Sequence, residues 1–501
     1  MKISKPLSQE AGVILNSIHS KGEEHEHTRE AQALELFHEV ATTVPAYADF
    51  LKKNNIAHKK IKTFADFEKI PQTNKKDYLR KYNITELSSG GNLKMPLIYT
   101  STSGSTGEPC YFHRTKTIDW QGSVIQELFI ANGANAKQPT LAIVCFGMGV
   151  WIGGLITYEG VRMASERGYP ISIITPGINK SEIFKALKQL APHYTQTILY
   201  GYPPFIKDII DEATLWGVDI SKLNLRISTA AEAYTEEYRD FIAKKTKMRS
   251  AALDTMNIYG SADIGAMAFE TPTAIAIRKA LTKSPKAFHA IFGDIQRTPT
   301  LAQYFPQFIT FESVEGELLI TGKNSIPLIR YAIGDRGGVF SYKALVSALK
   351  KEGISMTKIL REAGLTKKHD YELPFVYVYE RNDLSTTLYG AQIYPETIKN
   401  VLLRAPFSEY FTGKFTLLTK YDNKHDQYIE INLELRKNVK PTKGLPAHLT
   451  DRIVSELTKK NSEYKELAKF VGVRAIPRLV FWESEDPTHF KAGIKQQWVK
   501  K

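Results

Sequence analysis

Tyr99-Thr100-Ser101-Thr102-Ser103-Gly104-Ser105-Thr106-Gly107-Glu108-Pro109 is the stretch from which the chain is best read. Hydroxyl side chains crowd the run, two glycines sit inside it and a proline closes it. A helix or a central strand would not choose such residues. The glycines permit a sharp turn and a close backbone approach, and the hydroxyls are short, rotatable donors. Convergent donors of this kind suit a polyphosphate. The run is not the common P-loop, because no Gly-Lys-Ser/Thr ends it. Composition alone leaves a flexible linker as an equal alternative.

Downstream, strand and helix signals alternate. Leu141–Phe146, Ile171–Ile174 and Ile198–Tyr200 are short apolar runs bounded by Gly or Pro, as expected of strands covered on both faces. Tyr202–Ile210 reads as a helix with proline in its first turn, and Leu225–Ser228 as the next strand. The alternation predicts an α/β architecture with a largely parallel sheet. Residues 147–154, Gly-Met-Gly-Val-Trp-Ile-Gly-Gly, follow a strand end, where ligands gather in open sheets; an acyl-pocket loop and a tight turn with a core tryptophan are equally good readings. Upstream, Ala33, Leu36, Phe37, Val40 and Val44 predict a helix stopped at Pro45, and Phe64–Ile70 a short one ended by Pro71. Near the other end, Phe415–Leu418 and the alternating Ile429–Leu435 predict strands, and Leu449–Lys460 an amphipathic helix. These form a small α+β unit.

The 501 residues, 43% hydrophobic and 24% charged, are enough for two or three globular domains. Two cysteines, Cys110 and Cys145, exclude a disulfide framework and a multi-cysteine zinc site, and a reducing, cytoplasmic setting fits them. The segment Met1–Lys5 leads into no apolar signal region, and no run reaches the ~18 apolar residues of a membrane span. The net charge is +14. Its basic residues are scattered, without an arginine-rich arm or aromatic–basic interleaving, so no nucleic-acid partner is expected. The charge reads as a solvated face that favours anionic ligands.

Four further stretches carry chemistry. Ser228-Thr229-Ala230-Ala231-Glu232-Ala233 follows a strand, and Asn257-Ile258-Tyr259-Gly260-Ser261-Ala262-Asp263-Ile264-Gly265 combines an aromatic ring, a glycine and a carboxylate. Glu315–Gly322 is an alternating strand closed by glycine, followed by Pro327-Leu328-Ile329-Arg330-Tyr331-Ala332-Ile333-Gly334-Asp335. Glu380-Arg381-Asn382-Asp383 precedes Gly390-Ala391-Gln392-Ile393-Tyr394-Pro395 by six residues. In this order, behind Thr102–Pro109, they resemble the motifs of the adenylate-forming superfamily, the AMP-forming ligases of carboxylic acids, and are most similar to the phenylacetate–CoA ligase family. The likeness extends over nearly the whole chain.

That resemblance implies a large N-terminal domain with mostly parallel sheets and a small mobile α+β C-terminal lid. The expected divisions are 1–90, a helical segment of the large domain; 91–382, its ATP- and acyl-binding core; and 383–501, the lid. Thr102, Ser103, Gly104, Ser105, Thr106 and Gly107 would cradle phosphate. Glu232 would edge the adenine site, Tyr259 would stack on adenine, and Gly260 and Ser261 would line the nucleotide. Asp263 would hold Mg²⁺, Asp335 the ribose hydroxyls, and Arg381 ribose or phosphate, with Arg330 supporting the site or a phosphate. Asp383 would be the hinge. The catalytic lysine would be Lys495, with Lys491 as the alternative. The chain departs from the pattern at Ala262, Asp263, Glu380 and Gln392, and at Ala230 and Ala233 around Glu232. The implied activity uses Mg-ATP to activate an aryl, arylacetic or other carboxylic acid and passes the acyl group to a thiol, with coenzyme A favoured. An acyl carrier protein or an amine is the alternative acceptor, and a degenerate nucleotide-binding homologue the non-catalytic alternative.

Overall fold

The computed structural model describes residues 7–101, 111–149, 152–231, 233–293, 298–379, 386–388, 391–422, 427–461, 464–465, 468, 472–490 and 498–500. Strands are numbered in chain order. The large unit holds β1 (Thr73–Asn74), β2 (Ile98–Ser101), β3 (Tyr111–Arg114), β4 (Thr140–Val144), β5 (Ile171–Ile174), β6 (Gln196–Gly201), β7 (Leu225–Ala230), β8 (Thr255–Ser261), β9 (Gly265–Phe269), β10 (Thr300–Gln303), β11 (Ile309–Val314), β12 (Glu317–Gly322), β13 (Leu328–Phe340) and β14 (Phe375–Tyr379).

The expected α/β class is what the chain adopts. β5, β4, β6, β7 and β8 lie side by side and parallel. Their apolar runs alternate between two covering layers. Leu141, Ile143, Leu199 and Ile227 face the helices Lys180–Gln189 and Pro203–Glu212, while Ala142, Val144, Ile198 and Tyr200 face Lys116–Asn132 and Ile152–Ser165. From β8 the same sheet continues antiparallel through β9, β10, β14, β13, β12 and β11, with β1 alongside β13. β2 and β3 stand apart as a hairpin, so Tyr99, Thr100 and Ser101 are strand residues outside the central sheet. The helix predicted by the apolar stripe runs over Gly22–Thr43, whereas the one expected over Phe64–Ile70 starts at a Thr63–Asp66 capping box and covers only Phe64–Phe67. Among the described residues no helix is long and apolar enough to cross a membrane.

The small unit holds β15 (Thr386–Leu388), β16 (Ala391–Ile393), β17 (Phe411–Tyr421), β18 (Gln427–Leu435), β19 (Arg478–Trp482) and β20 (Val499–Lys500). Four of these form a sheet in the order β19-β18-β17-β20. With the helices Pro395–Leu402 and Leu445–Lys460 it encloses a separate core that includes Leu388, Ile398, Phe415, Ile431, Leu449 and Trp498. The expected boundary at 382/383 lies outside the described residues.

The two units meet across charge. On the helix Pro203–Glu212, the Lys207 Nζ donates to Asp211 Oδ2 (2.6 Å) and to the Thr412 carbonyl (2.8 Å). Asp211 also pairs with Arg436 (2.5 Å) and with Lys245. Next to it, Lys414 lies 2.6 Å from Asp208 and 3.3 Å from Glu434, and Lys180 bridges Glu212 (2.8 Å) and Glu485 (2.9 Å). Burial pushes the Asp211 carboxyl up, but Lys207, Arg436 and Lys245 outweigh it and bring it to about 2. The helix Pro395–Leu402 adds a hydrogen bond between Asn400 and Thr235 (3.2 Å) and stacks Lys399 over the Tyr238 and Trp498 rings.

Candidate functional site

β8 leaves the parallel block at its carboxyl end and turns back into β9. The turn needs its glycines. A Cβ on Gly260 would lie 2.6 Å from the Gly265 carbonyl, and Gly265 has φ +92° with Ile118 and Ile156 within 3.0 Å of where a Cβ would be. Ile156 belongs to the helix that follows residues 147–149 of the glycine-rich loop, so this loop's helix does wall the turn. Val150 and Trp151 lie outside the described residues.

The hairpin presents its polar residues to β13. Tyr259 donates its hydroxyl to Asp335 Oδ2 at 2.5 Å, joining two expected nucleotide-binding residues that are 76 positions apart. Tyr331, on the same strand as Asp335, donates its hydroxyl to Asp263 Oδ2 at 2.8 Å. The Asp263 amide is 3.3 Å from the Ser261 hydroxyl, and the Asn324 side-chain amide reaches the Asp263 carbonyl at 3.4 Å. Tyr259, Gly260, Ser261, Asp263 and Asp335 therefore form one cluster. Asp263 is a buried carboxylate with one oxygen oriented by a phenol. A single carboxylate is what a Mg²⁺ site needs from the protein when phosphates and water supply the other oxygens; among the described residues no group of three or more His, Cys, Asp or Glu could hold a metal by itself.

Arg330 does not join the cluster. Its backbone is left-handed (φ +43°) at an irregularity between β12 and β13, which turns the side chain away. The guanidinium pairs with Glu312 (2.9 and 3.0 Å) and donates to the Ile70 carbonyl. Burial raises the Glu312 carboxyl, and Arg330 opposes that rise. These contacts tie β11 and the Ile70 segment to β13. Tyr331, beside it in the motif, makes a contact the sequence left unread; a tyrosine inside a strand gives no signal that its hydroxyl reaches a turn 68 residues away.

Ala231 has φ +74°, a conformation that costs an alanine roughly 1 kcal/mol. Such strain is characteristic of functional turns. Glu232 itself, Thr102, Ser103, Gly104, Ser105, Thr106 and Gly107, Arg381, Asp383, Lys491 and Lys495 lie outside the described residues.

No protein-family profile matches the sequence, and no curated protein matches it. Solved structures do. One is 2-hydroxyisobutyryl-CoA ligase in its postadenylation state in complex with R3-HIB-AMP, at TM-score 0.65 and 13% identity over 96% of this chain and 90% of that one. The chain shares the fold of this ligase. The same enzyme with 2-HIB-AMP and CoA in the thioesterification state aligns at TM-score 0.52 and 15% identity, over 95% of this chain and 89% of that one. Both alignments extend through the large and the small unit, so the two-unit architecture is common to the two proteins.

Proposed function

We propose that this chain is an adenylate-forming acid–thiol ligase. In the first half-reaction a carboxylate oxygen attacks the α-phosphorus of ATP and pyrophosphate leaves, giving an acyl-adenylate. In the second a thiol sulfur, that of coenzyme A, attacks the acyl carbon and AMP leaves. The observation that carries the reading is the Tyr259–Asp335 hydrogen bond beside Asp263, at the carboxyl end of the parallel strands. Ligands bind there in sheets of this kind. Fold similarity to an acyl-CoA ligase supports it.

Tyr259 offers its ring face to adenine, and Asp335, fixed by the Tyr259 hydroxyl, accepts from ribose. Asp263, oriented by Tyr331, is the protein oxygen for Mg²⁺, and the ion when bound supplies charge neutralisation at the phosphates. The segment Thr102–Gly107 cradles phosphate, Glu232 edges the adenine, and Arg381 contacts ribose or phosphate. Lys495, or Lys491 in its place, donates to the bridging oxygen as charge develops; removal of such a donor costs on the order of a hundredfold in rate. The small unit acts as a lid hinged at Asp383. The better match to the postadenylation form than to the thioesterification form supports reading the present arrangement as the one around the adenylate.

Carboxylate-dependent ATP–pyrophosphate exchange across aryl, arylacetic, fatty and amino acids tests the proposal. Exchange with one class identifies the acid, and subsequent comparison of coenzyme A, a carrier protein and an amine identifies the acceptor. ATP binding without exchange for any acid would favour the degenerate homologue.

A further inference from the structure

The amino ends of the parallel strands carry a surface that the proposed reaction does not use. β6, β7 and β8 are parallel neighbours, so the segments that enter them lie within about 10 Å of one another across the sheet. Those segments follow the helices Lys180–Gln189, Pro203–Glu212 and Glu236–Thr246. The candidate site is at the other end of β8, a strand of 7 residues. Roughly 20 Å of sheet separates the two ends.

The segment before β7 puts two large apolar side chains into solvent. A 3₁₀ turn over Ala213–Trp216 buries Ala213 alone. Gly217, left-handed at φ +71°, then drops the chain back so that Val218 and Ile220 enter the core. Leu215 and Trp216 are left at the tip, 76% and 43% exposed. The Trp216 ring lies flat on Phe184, with centroids 4.9 Å apart and 11° between the planes, so the tip is fixed in place. Leu190, at the end of the Phe184 helix, is exposed as well.

Cations surround this tip. Lys188 Nζ lies 3.7 Å from where a Cβ on Gly217 would be. Lys244, Lys247 and Arg249 are exposed where the helix Glu236–Thr246 hands over to β8, and Met248 among them packs into the same core as Val218 and Ile220. Among the described residues none of these four cations pairs with a carboxylate, and the acid beside the tip, Asp219, is taken by Lys222 at 3.3 Å. Tryptophan and leucine at a fixed tip, ringed by uncompensated lysine and arginine, match the headgroup layer of an anionic bilayer, where amphipathic rings settle and basic side chains meet acidic lipids. Two other occupants fit less well. A second copy would bring the same positive charge against itself. A carrier protein handing a thiol to the site would have to sit at the opposite end of the strands.

We propose that the amino end of the parallel block is a membrane-docking face. Leu215 and Trp216 enter the headgroup layer of an anionic bilayer, and Lys188, Lys244, Lys247 and Arg249 meet its lipids. The candidate site then points away from the bilayer into solution.

The test uses the full chain and needs no substrate, so it is decided apart from the ligase reading. Sedimentation with vesicles of phosphatidylcholine, without and with about one part in three of phosphatidylserine, measures partition. Wild type is expected on the anionic vesicles, with binding that falls as salt is raised, and not on the neutral ones. Lys188→Gln/Lys247→Gln should weaken partition by about thirtyfold, roughly fivefold for each cation. Leu215→Ser should weaken it about tenfold without lowering the unfolding temperature, because the side chain it removes is exposed. Trp216 emission should shift to the blue on anionic vesicles, and Trp216→Phe, which keeps a ring on Phe184, should lose that shift while it retains most of the affinity. Absence of wild-type partition overturns the proposal, as does equal partition onto neutral vesicles, an unshifted Trp216 or indifference to both the Leu215 and the lysine variants. Capture of poly-glutamate as tightly as vesicles, undiminished in Leu215→Ser, would make the surface a protein-docking patch and overturn it too.

Discussion

A tyrosine hydroxyl and an aspartate 76 residues apart meet at 2.5 Å, and that contact makes the first prediction. Tyr259→Phe keeps the ring but removes the hydrogen bond to a carboxylate, and should raise KM for ATP by about tenfold with little change in stability; exchange kinetics with urea unfolding as control measure both. Single residues also set the response to acid. His25, His113 and His369 all have depressed pKa values, in each case chiefly through burial, with Glu24 and Glu372 opposing the shift at His25 and Lys368 reinforcing it at His369. Below about pH 6.5 the unfolded chain takes up protons that the folded rings refuse, so stability should fall as pH drops from about 7 through the depressed values, by about 1.4 kcal/mol for each unit of depression. A flat unfolding temperature between pH 7 and 5 would contradict this. At this scale the order and spacing of the motifs single out Tyr259, Asp263 and Asp335, which the fold brings into one cluster, while the sequence gives no warning at Arg330. There a left-handed backbone at a bulge directs the side chain to Glu312, and no pattern of residue types announces that.

The elements were legible where burial dictates composition. The apolar runs at 141–146 and 198–200 became β4 and β6 because both faces of each are covered, whereas 171–174 became β5, the half-buried edge strand with Ser172 exposed. β13 was harder to read, as glycine weakens a strand signal. Gly337 and Gly338 stand in mid-strand because Tyr377 of β14 occupies the places a Cβ would take, with its carbonyl 1.9 Å and its ring 2.5 Å away. The β8–β9 turn yields the prediction proper to this scale. Gly265→Ala adds a Cβ at φ +92° against Ile118 and Ile156, and should destabilise by about 1–3 kcal/mol and abolish exchange. Ile156→Val in the same chain should restore part of the stability by making room, while the backbone strain persists; urea titration separates the two contributions.

For the whole molecule, two units and their order were readable, but not the surface between them, since pairing of charges distant in sequence leaves no local pattern. Asp211→Asn leaves Lys207, Lys245 and Arg436 without their shared carboxylate. Removal of one partner from a buried group of this kind typically costs about 3–5 kcal/mol, so calorimetry should resolve separate unfolding of the small unit, and a single unaltered transition would refute the assignment. Acid should do the same. Asp211, held to about 2 when folded, contributes fully above its ordinary value near 3.9, and that contribution is lost as pH falls from about 4 to about 2. The joint has a further consequence for how the units part. Lys180, Lys207, Lys245, Lys414 and Arg436 face Asp208, Asp211, Glu212, Glu434 and Glu485, a balanced set. Of the small unit's apolar residues, among those described, Leu403 is the one that enters a buried cluster of the large unit. Water is therefore a competitive solvent for almost everything the joint holds, and hydration of the charges freed from the cross-unit pairs Lys180–Glu485, Asp208–Lys414 and Asp211–Arg436 offsets much of the attraction that is given up. An oily seam of the same extent would weld the two halves into one body; a seam of salt lets them be firmly docked and still come undone.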